Sequence, residues 1–165
     1  MTCPANACAG GGAAVVTGDE AAVVLGGTVV LRTVTATVNE SPEVETWGDS
    51  GSGKYTNRKT TRLDATGTVD GMLDCEKAAP GNIYNLGKAG DKVVQIHTSL
   101  VIWERNFTGC FWAFPCSVIT KFQVTYDMDT KKATRWSFDY GSDGVYYRPG
   151  ESPSWPVGDH PNKSS

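Results

Sequence analysis

The stretch LDATGTVDGMLD, residues 63–74, decides the fold of this chain. Small or apolar residues fall on one side of a two-residue period, and these are Leu63, Ala65, Gly67, Val69, Gly71 and Leu73. Carboxylates and hydroxyls fall on the other side, which consists of Asp64, Thr66, Thr68, Asp70 and Asp74 with Met72 as the exception. Successive side chains of a strand point to opposite faces, so this pattern predicts a strand with one dry face and one wet face.

A second strand of the same kind is predicted upstream, in TVVLRTVTATVN at residues 28–39. Its apolar positions are Val34, Ala36 and Val38, and they alternate with Thr33, Thr35 and Thr37. β-Branched residues in this alternation are typical of strands. The wet face of this strand is therefore also rich in hydroxyl groups.

A long polar stretch, residues 40–62, separates the two strands and shows no apolar periodicity. A hairpin needs only about two to five loop residues, and much longer connections are generally functional or disordered. We therefore interpret residues 40–62 as a long functional loop. Its charged and aromatic residues are Glu43, Glu45, Trp47, Asp49, Lys54, Arg58, Lys59 and Arg62.

The remainder of the chain is predicted to form further strands at residues 91–105 and 107–114, the latter ended by Pro115. A hairpin follows at 117–127 and 133–140, and a short last strand at 145–148. Core positions in the hairpin are expected at Phe122, Val124, Tyr126, Trp136, Phe138 and Tyr140. Pro80-Gly81 limits any helix after residue 74 to one or two turns. The sum is an all-β fold, an antiparallel sandwich or small barrel with at most one short helix.

The overall composition and the composition of the two terminal segments predict the domain organisation. The 165 residues are 39% hydrophobic and 20% charged, which fits one globular domain. We assign residues 1–20 to a flexible N-terminal arm, 21–148 to the sandwich and 149–165 to an extended proline-rich tail. The N-terminus lacks a basic signal region and no apolar run is long enough for a membrane, so we expect a cytoplasmic site of synthesis.

The net charge of −3 argues against a nucleic-acid binder with a dedicated basic face. Five cysteines without a signal peptide favour reduced thiols. Gly48-x4-Gly53-Lys54 nearly matches a phosphate-binding loop, but Tyr55 replaces the metal-binding hydroxyl and no helix follows. The spacing of His97 and His160 relative to the cysteines does not match a paired metal-ligand pattern. The sequence thus predicts no enzyme, no cofactor and no metal.

Three pieces of the chain together resemble the major tail tube protein of tailed bacteriophages. They are the strand at 28–39 with the polar loop ending in Thr60-Thr61-Arg62, the strand LDATGTVDGMLD, and the hairpin ITKFQVTYDMDTKKATRWSFDYGSDG at 119–144. They cover about two-thirds of the chain. The sequence departs from the family after the second strand, where Pro80-Gly81 cuts short the helix that the family usually has there.

The resemblance implies a structural virion protein without catalysis. Subunits of this family form hexameric rings in which strands join into one ring-wide β-barrel, and the rings stack into a tube for DNA ejection. The long loop, here residues 40–62, would dock on the neighbouring ring. Hydroxyls and carboxylates would face the lumen, and those residues here are Thr33, Thr35, Thr37, Asp64, Thr66, Thr68 and Asp70.

The partners implied are further copies of the chain, other tail proteins and double-stranded DNA that passes without specific binding, with no membrane contact. The other tail proteins are a sheath if the tail is contractile, a tail terminator, and baseplate or distal tail proteins. The location implied is the phage tail, assembled in the bacterial host cytoplasm.

Two alternatives from other classes remain. The first is a virion-associated binding module, such as a capsid decoration protein or a carbohydrate-binding domain, which would use the aromatic residues Trp103, Phe107, Phe111, Trp112 and Phe114. The second is a small hydrolase that uses Cys110 or Cys116 with His97. Sugar binding would indicate the first, and a reactive thiol at neutral pH the second.

Overall fold

Antiparallel strands account for nearly all regular structure in a computed structural model that describes residues 17–48, 51, 53–86 and 97–162. The strands are β1 (Ala22–Leu25), β2 (Thr28–Val29), β3 (Thr33–Ala36), β4 (Asn39–Glu40), β5 (Glu43–Trp47), β6 (Asn57–Arg62), β7 (Ala65–Met72), β8 (His97–Trp103), β9 (Phe111–Thr125) and β10 (Arg135–Ser142). One 3-10 turn at Gly18–Glu20 is the only helical element in these ranges. The all-β class predicted from the sequence is confirmed.

Eight of the strands form one sheet in the order β2-β1-β8-β9-β10-β7-β3, and β4 also pairs with β7. The long strand β9 joins two halves of this sheet, because its beginning pairs with β8 and its end pairs with β10. The halves pack against each other across a shared core. Phe114 from one half meets Tyr140 from the other with ring centroids 5.3 Å apart. The sheet therefore folds back on itself as a sandwich.

Pro115 lies inside β9, so the prediction that a strand ends at this residue is wrong. The ladder between β8 and β9 shifts register between Thr98 and Leu100, and β10 pairs with β9 only from Ser117 onward. Proline lacks the N–H that a regular ladder needs and is tolerated at bulges. The strand continues because the missing donor falls at an irregular point of the ladder.

The dry face of β7 carries part of the core, as its period-two pattern predicts. Gly67 and Gly71 lie directly opposite Tyr140 and Trp136 of β10. A Cβ atom on Gly67 would stand 2.0 Å from the carbonyl oxygen of Thr37, and one on Gly71 would stand 2.3 Å from that of Arg32. Both glycines thus make room for a large ring to cross the strand.

The two rings also donate hydrogen bonds to backbone carbonyls. The Tyr140 hydroxyl donates to the carbonyl of Thr37 at 2.7 Å, and the Trp136 indole donates to that of Met72 at 2.9 Å. Burial raises the pKa of Tyr140. Trp136, Phe138 and Tyr140 are each 1% exposed, which confirms the predicted core face of this strand.

Three residues predicted on an apolar face are exposed. Leu63 is 65% exposed, and it lies before the start of β7 at Ala65. Val34 is 51% exposed because the first strand breaks at Arg32, whose φ of 61° is left-handed, and its register shifts between Thr33 and Thr35. Tyr126 is 58% exposed because β9 ends one residue before it. In each case the predicted alternation extends past the end of a strand or past a register shift.

The segment after β10 covers the outer face of the first half-sheet. The predicted strand at 145–148 is reduced to one bridge between Tyr147 and Ala113. Trp155 and Val157 then pack against a second apolar cluster of Val101, Trp103, Phe111 and Ala113. Among the described residues, no helix is long and apolar enough to cross a membrane.

Candidate assembly surfaces

Residues 40–62, predicted as a loop, contain a separate two-stranded sheet formed by β5 and β6. The loop interpretation is corrected here: the segment shows no apolar period because neither face of the hairpin is buried in this chain. Its register places Glu43 opposite Arg62, Glu45 opposite Lys59 and Trp47 opposite Asn57. The hairpin also differs from the strand-to-helix context of a phosphate-binding loop.

Oppositely charged residues that are predicted to dock on another ring lie opposite one another within this hairpin. Glu43 and Arg62 approach to 3.9 Å, with side chains 66% and 84% exposed. Exposed ion pairs contribute little stability, about 0–1 kcal/mol. Arg58 lies opposite Thr46, and Lys54 lies 5.6 Å from the ring centre of Tyr55. Asp49 lies outside the described residues.

Large apolar side chains on the hairpin are open to solvent. Trp47 is 43% exposed, Val44 45% and Tyr55 72%. A two-stranded hairpin without a packed face is marginal in water, and its open edges can pair with another chain. The hairpin therefore has the features of a surface that another molecule covers.

The base of the hairpin is fixed to the sandwich. The Ser41 N–H donates to the carbonyl of Asp64 at 2.8 Å, which closes the chain just before the hairpin begins. Glu40 accepts a hydrogen bond from the Tyr146 hydroxyl at 2.6 Å and pairs with Arg148 at 3.1 Å. The pKa of Tyr146 is raised to about 12, mainly by burial and secondly by the hydrogen bond to Glu40. A firm base thus carries an exposed two-stranded projection.

The residues predicted to line a lumen lie mainly around the wet face of β7. Thr66, Thr68 and Asp70 alternate along this strand, and Thr35 lies opposite Asp70. Thr37 lies beside Thr68, whose N–H donates to the Thr37 hydroxyl at 3.0 Å. Asp64 is exposed just before β7.

Thr33 is separated from this face. It pairs with Gly71, on the dry side of β7, and its hydroxyl donates to the carbonyl of Val30. The register shift between Thr33 and Thr35 causes the separation. The wet face continues onto the neighbouring strands, where Asp139 lies opposite Lys121 and accepts a hydrogen bond from Thr68 at 2.8 Å.

His97 and Cys116, which sequence spacing does not connect, lie together with Asp143. The Cys116 sulfur is 3.8 Å from His97 Nδ1 and 3.8 Å from Asp143 Oδ2, and the last two atoms are 3.4 Å apart. Sequence reasoning missed Asp143, although strand pairing could have suggested it because β9 lies between β8 and β10. Cys75 and Cys116 are free, as expected for reduced thiols. Cys110 is buried and bonded in a disulfide, so that expectation is wrong for Cys110.

The arrangement does not fit the hydrolase alternative. A catalytic triad places the nucleophile on one imidazole nitrogen and the carboxylate on the other. Here the sulfur and the carboxylate both face Nδ1 of His97. The aromatic residues of the binding-module alternative are mostly internal as well, since Trp103, Phe111 and Phe114 are at most 5% exposed.

No protein-family model matches the sequence, and no curated protein matches it significantly. Solved structures do match. A chain of the sheath-tube complex of an extracellular contractile injection system, PVC, aligns with a TM-score of 0.60 at 10% identity, over 83% of this chain and 94% of that one. A chain from the virion of a native gene transfer agent particle aligns with a TM-score of 0.60 at 9% identity, over 80% and 97%. The chain has the tail tube fold.

A third similar chain comes from the cap that terminates the tube of the anti-feeding prophage, with a TM-score of 0.59 at 12% identity over 82% of this chain and 92% of that one. Identities this low show a shared fold and no more. These tail tube proteins are structural components rather than enzymes. The resemblance seen in the sequence is thus confirmed at the level of the fold.

Proposed function

We propose that this chain is a structural tail subunit. Its copies assemble into hexameric rings, and the rings stack into a tube for DNA ejection. The observation that carries the proposal is the β5–β6 hairpin on a tail tube fold. It is a sheet without a core of its own, fixed at its base and exposed along its length. Such an element is stabilised when a second copy of the chain covers it.

In this proposal the hairpin docks on the neighbouring ring. Trp47, Val44 and Tyr55 supply apolar surface that is open in the single chain. The mixed charges of Glu45, Lys59 and Arg58 supply a polar rim. Aromatic residues surrounded by polar ones are the usual composition of an interface core with its rim.

The wet face around β7 is proposed to line the lumen. A channel through which DNA slides must not bind phosphate, because each neutralised phosphate adds affinity through released counterions. Asp64, Asp70 and Asp139 on or beside this face outnumber the cations Lys121 and Arg135, so no net positive charge accumulates there. Double-stranded DNA then passes without being held.

The remaining parts of the proposal concern partners and place. Other tail components, including a sheath or terminating cap, would contact the outside or ends of the tube. The particle is a phage tail or a phage-like tail, assembled in the bacterial host cytoplasm. The terminal segments 1–20 and 149–165 are proposed as an arm and a tail, and Trp155 and Val157 of the tail pack on the sandwich.

Replacing residues 42–63 by Asn-Gly tests the proposal. Because Ser41 already bonds to Asp64, the replacement closes β4 onto β7 with a two-residue turn and leaves the core intact. We expect tubes with an axial channel from the full chain in negative-stain electron microscopy. The shortened chain should melt at the same temperature as the full chain and form no stacked rings. Tubes of normal length from the shortened chain would refute the docking role.

A second experiment tests the lumen face. Tubes of the variant Asp64→Lys/Asp70→Lys should retain short double-stranded DNA after pelleting, and the retention should fall as salt rises. The matched control places the same charge change on the exposed turn after β9 and in the tail, at Asp129 and Glu151. Equal DNA retention by both variants would remove Asp64 and Asp70 from the lumen.

A further inference from the structure

We propose that His97, Cys116 and Asp143 form a binding site for a divalent transition metal of the zinc class. The three residues come from neighbouring parts of the sheet: His97 begins β8, Cys116 lies in β9, and Asp143 follows β10. Their ligating atoms all lie within 4.8 Å of one another. The site is independent of the tube surfaces described above.

The distances between the three atoms lie within about 0.1–0.3 Å of those of a tetrahedral metal site. Zinc lies about 2.3 Å from a thiolate sulfur, about 2.0–2.1 Å from an imidazole nitrogen and about 2.0–2.2 Å from a carboxylate oxygen. Tetrahedral angles then separate sulfur from nitrogen or oxygen by about 3.5–3.7 Å, and nitrogen from oxygen by about 3.3–3.5 Å. The observed separations are 3.8, 3.8 and 3.4 Å.

Hydrogen bonding explains this geometry less well. The 3.4 Å between His97 Nδ1 and Asp143 Oδ2 is longer than an ordinary N–H···O bond of about 2.7–3.2 Å. One imidazole nitrogen also cannot serve two partners as a single donor with good alignment to each. The Cys116 sulfur makes only long, weak hydrogen-bond contacts of 3.8 Å to each of the other two atoms, and a metal ion can join the same three converging donor atoms.

The donor set selects the class of metal. Thiolate, imidazole and carboxylate together are ligands of zinc, whereas magnesium and calcium prefer oxygen alone. Three protein ligands leave the fourth tetrahedral position open to water or to a donor from another chain. His97 and Asp143 have side chains 61% and 57% exposed, so a metal ion can enter from solvent.

The backbone holds the ligands in place before any metal binds. The N–H of Asp143 donates to the carbonyl of Cys116 at 2.9 Å, which fixes those two residues side by side. Ser117 is fully buried and its hydroxyl donates to the carbonyl of Thr98 at 2.8 Å. That bond ties the residue after Cys116 to the residue after His97. Little ordering is then needed on binding.

Cobalt titration of the full chain, kept unassembled and free of thiol reductant so that the disulfide of Cys110 stays intact, tests the site. We expect one Co²⁺ per chain and a thiolate-to-cobalt charge-transfer absorption that Zn²⁺ abolishes by displacement. Cys116→Ser should lose the absorption. His97→Ala and Asp143→Asn should weaken binding at least about 10- to 100-fold, the loss that even outer-shell partners cause.

The matched control is Cys75→Ser, which removes the other thiol that is free among the described residues, an exposed one outside the cluster. It should bind Co²⁺ as the unsubstituted chain does. Absence of the absorption at one equivalent of Co²⁺ would overturn the proposal. So would its loss in Cys75→Ser together with retention in Cys116→Ser. Circular dichroism of each variant shows whether it is folded, and neither result bears on tube assembly.

Discussion

The two hairpins β5–β6 and β9–β10 share an architecture and differ in where their stability comes from. In β9–β10, Trp136, Phe138 and Tyr140 are buried against the rest of the sandwich. In β5–β6, apart from the half-buried Asn57, every residue of the two strands is exposed, and among the described residues the strands pair only with each other. The first hairpin is completed by its own chain, and in our proposal the second is completed by another copy.

This difference separates folding from assembly. A side chain in β9–β10 contributes to the free energy of unfolding, because it leaves water when the single chain folds. A side chain in β5–β6 stays in water after folding and can only contribute when another molecule covers it. Substitutions in the two hairpins should therefore change different measured quantities.

Trp136→Ala should have the largest effect on stability. The substitution removes a ring that is 1% exposed, together with its hydrogen bond to Met72, and leaves a cavity beside Gly71. We expect a loss of about 3–5 kcal/mol in the free energy of unfolding, measured by urea denaturation. The same measurement on Trp47→Ala should show almost no change. An equal loss for both tryptophans would contradict the comparison.

Trp47→Ala should instead impair assembly. Truncated interface aromatics commonly cost about 2 kcal/mol or more in binding, so the protein concentration needed for tubes should rise by more than tenfold. Sedimentation of tubes at increasing protein concentration measures this. The control is Phe107→Ala, since Phe107 is 45% exposed against 43% for Trp47 but lies outside the hairpin. A greater rise for Phe107→Ala would place the interface elsewhere.

Charge exchange between Glu45 and Lys59 should have the smallest effect and sharpen the comparison. Glu45→Lys creates like charges on paired residues, worth about 0.2–1 kcal/mol, and should weaken assembly slightly. If the two charges act only on each other, adding Lys59→Glu restores tube formation. If they contact a neighbouring ring, the double variant stays impaired. We expect the double variant to recover tube formation only in part. Both strands are exposed on each side, so the two charges can act on each other and on a neighbouring ring.

The sequence predicted those elements in which one face is buried. In β7 and β10 a two-residue period reports burial directly, so Val69, Trp136, Phe138 and Tyr140 were assigned to the core correctly. The hairpin β5–β6 escaped because a strand exposed on both faces has no period to detect. Its β-branched residues Val44, Thr46, Thr60 and Thr61 were the available signal.

Other features depend on three-dimensional register that the period cannot report. The shift between Thr33 and Thr35 moves Thr33 off the wet face, and the passage of β9 through Pro115 depends on a bulge of β9 in its ladder with β8. The meeting of His97, Cys116 and Asp143 depends on the pairing of three strands, since no short-range spacing connects them. The local sequence pattern indicates which face of a strand is buried, whereas the pairing of strands decides which distant residues lie together.

Amide hydrogen exchange of residues 43–47 and 57–62, before and after tube assembly, tests the central claim most directly. The claim is that β5–β6 is completed by another copy of the chain. We expect fast exchange at these amides in the single chain, slow exchange at β10 in both states, and strong protection of β5 and β6 only in sedimented tubes. Exchange at β5 and β6 that stays equally fast in the tubes would contradict the account.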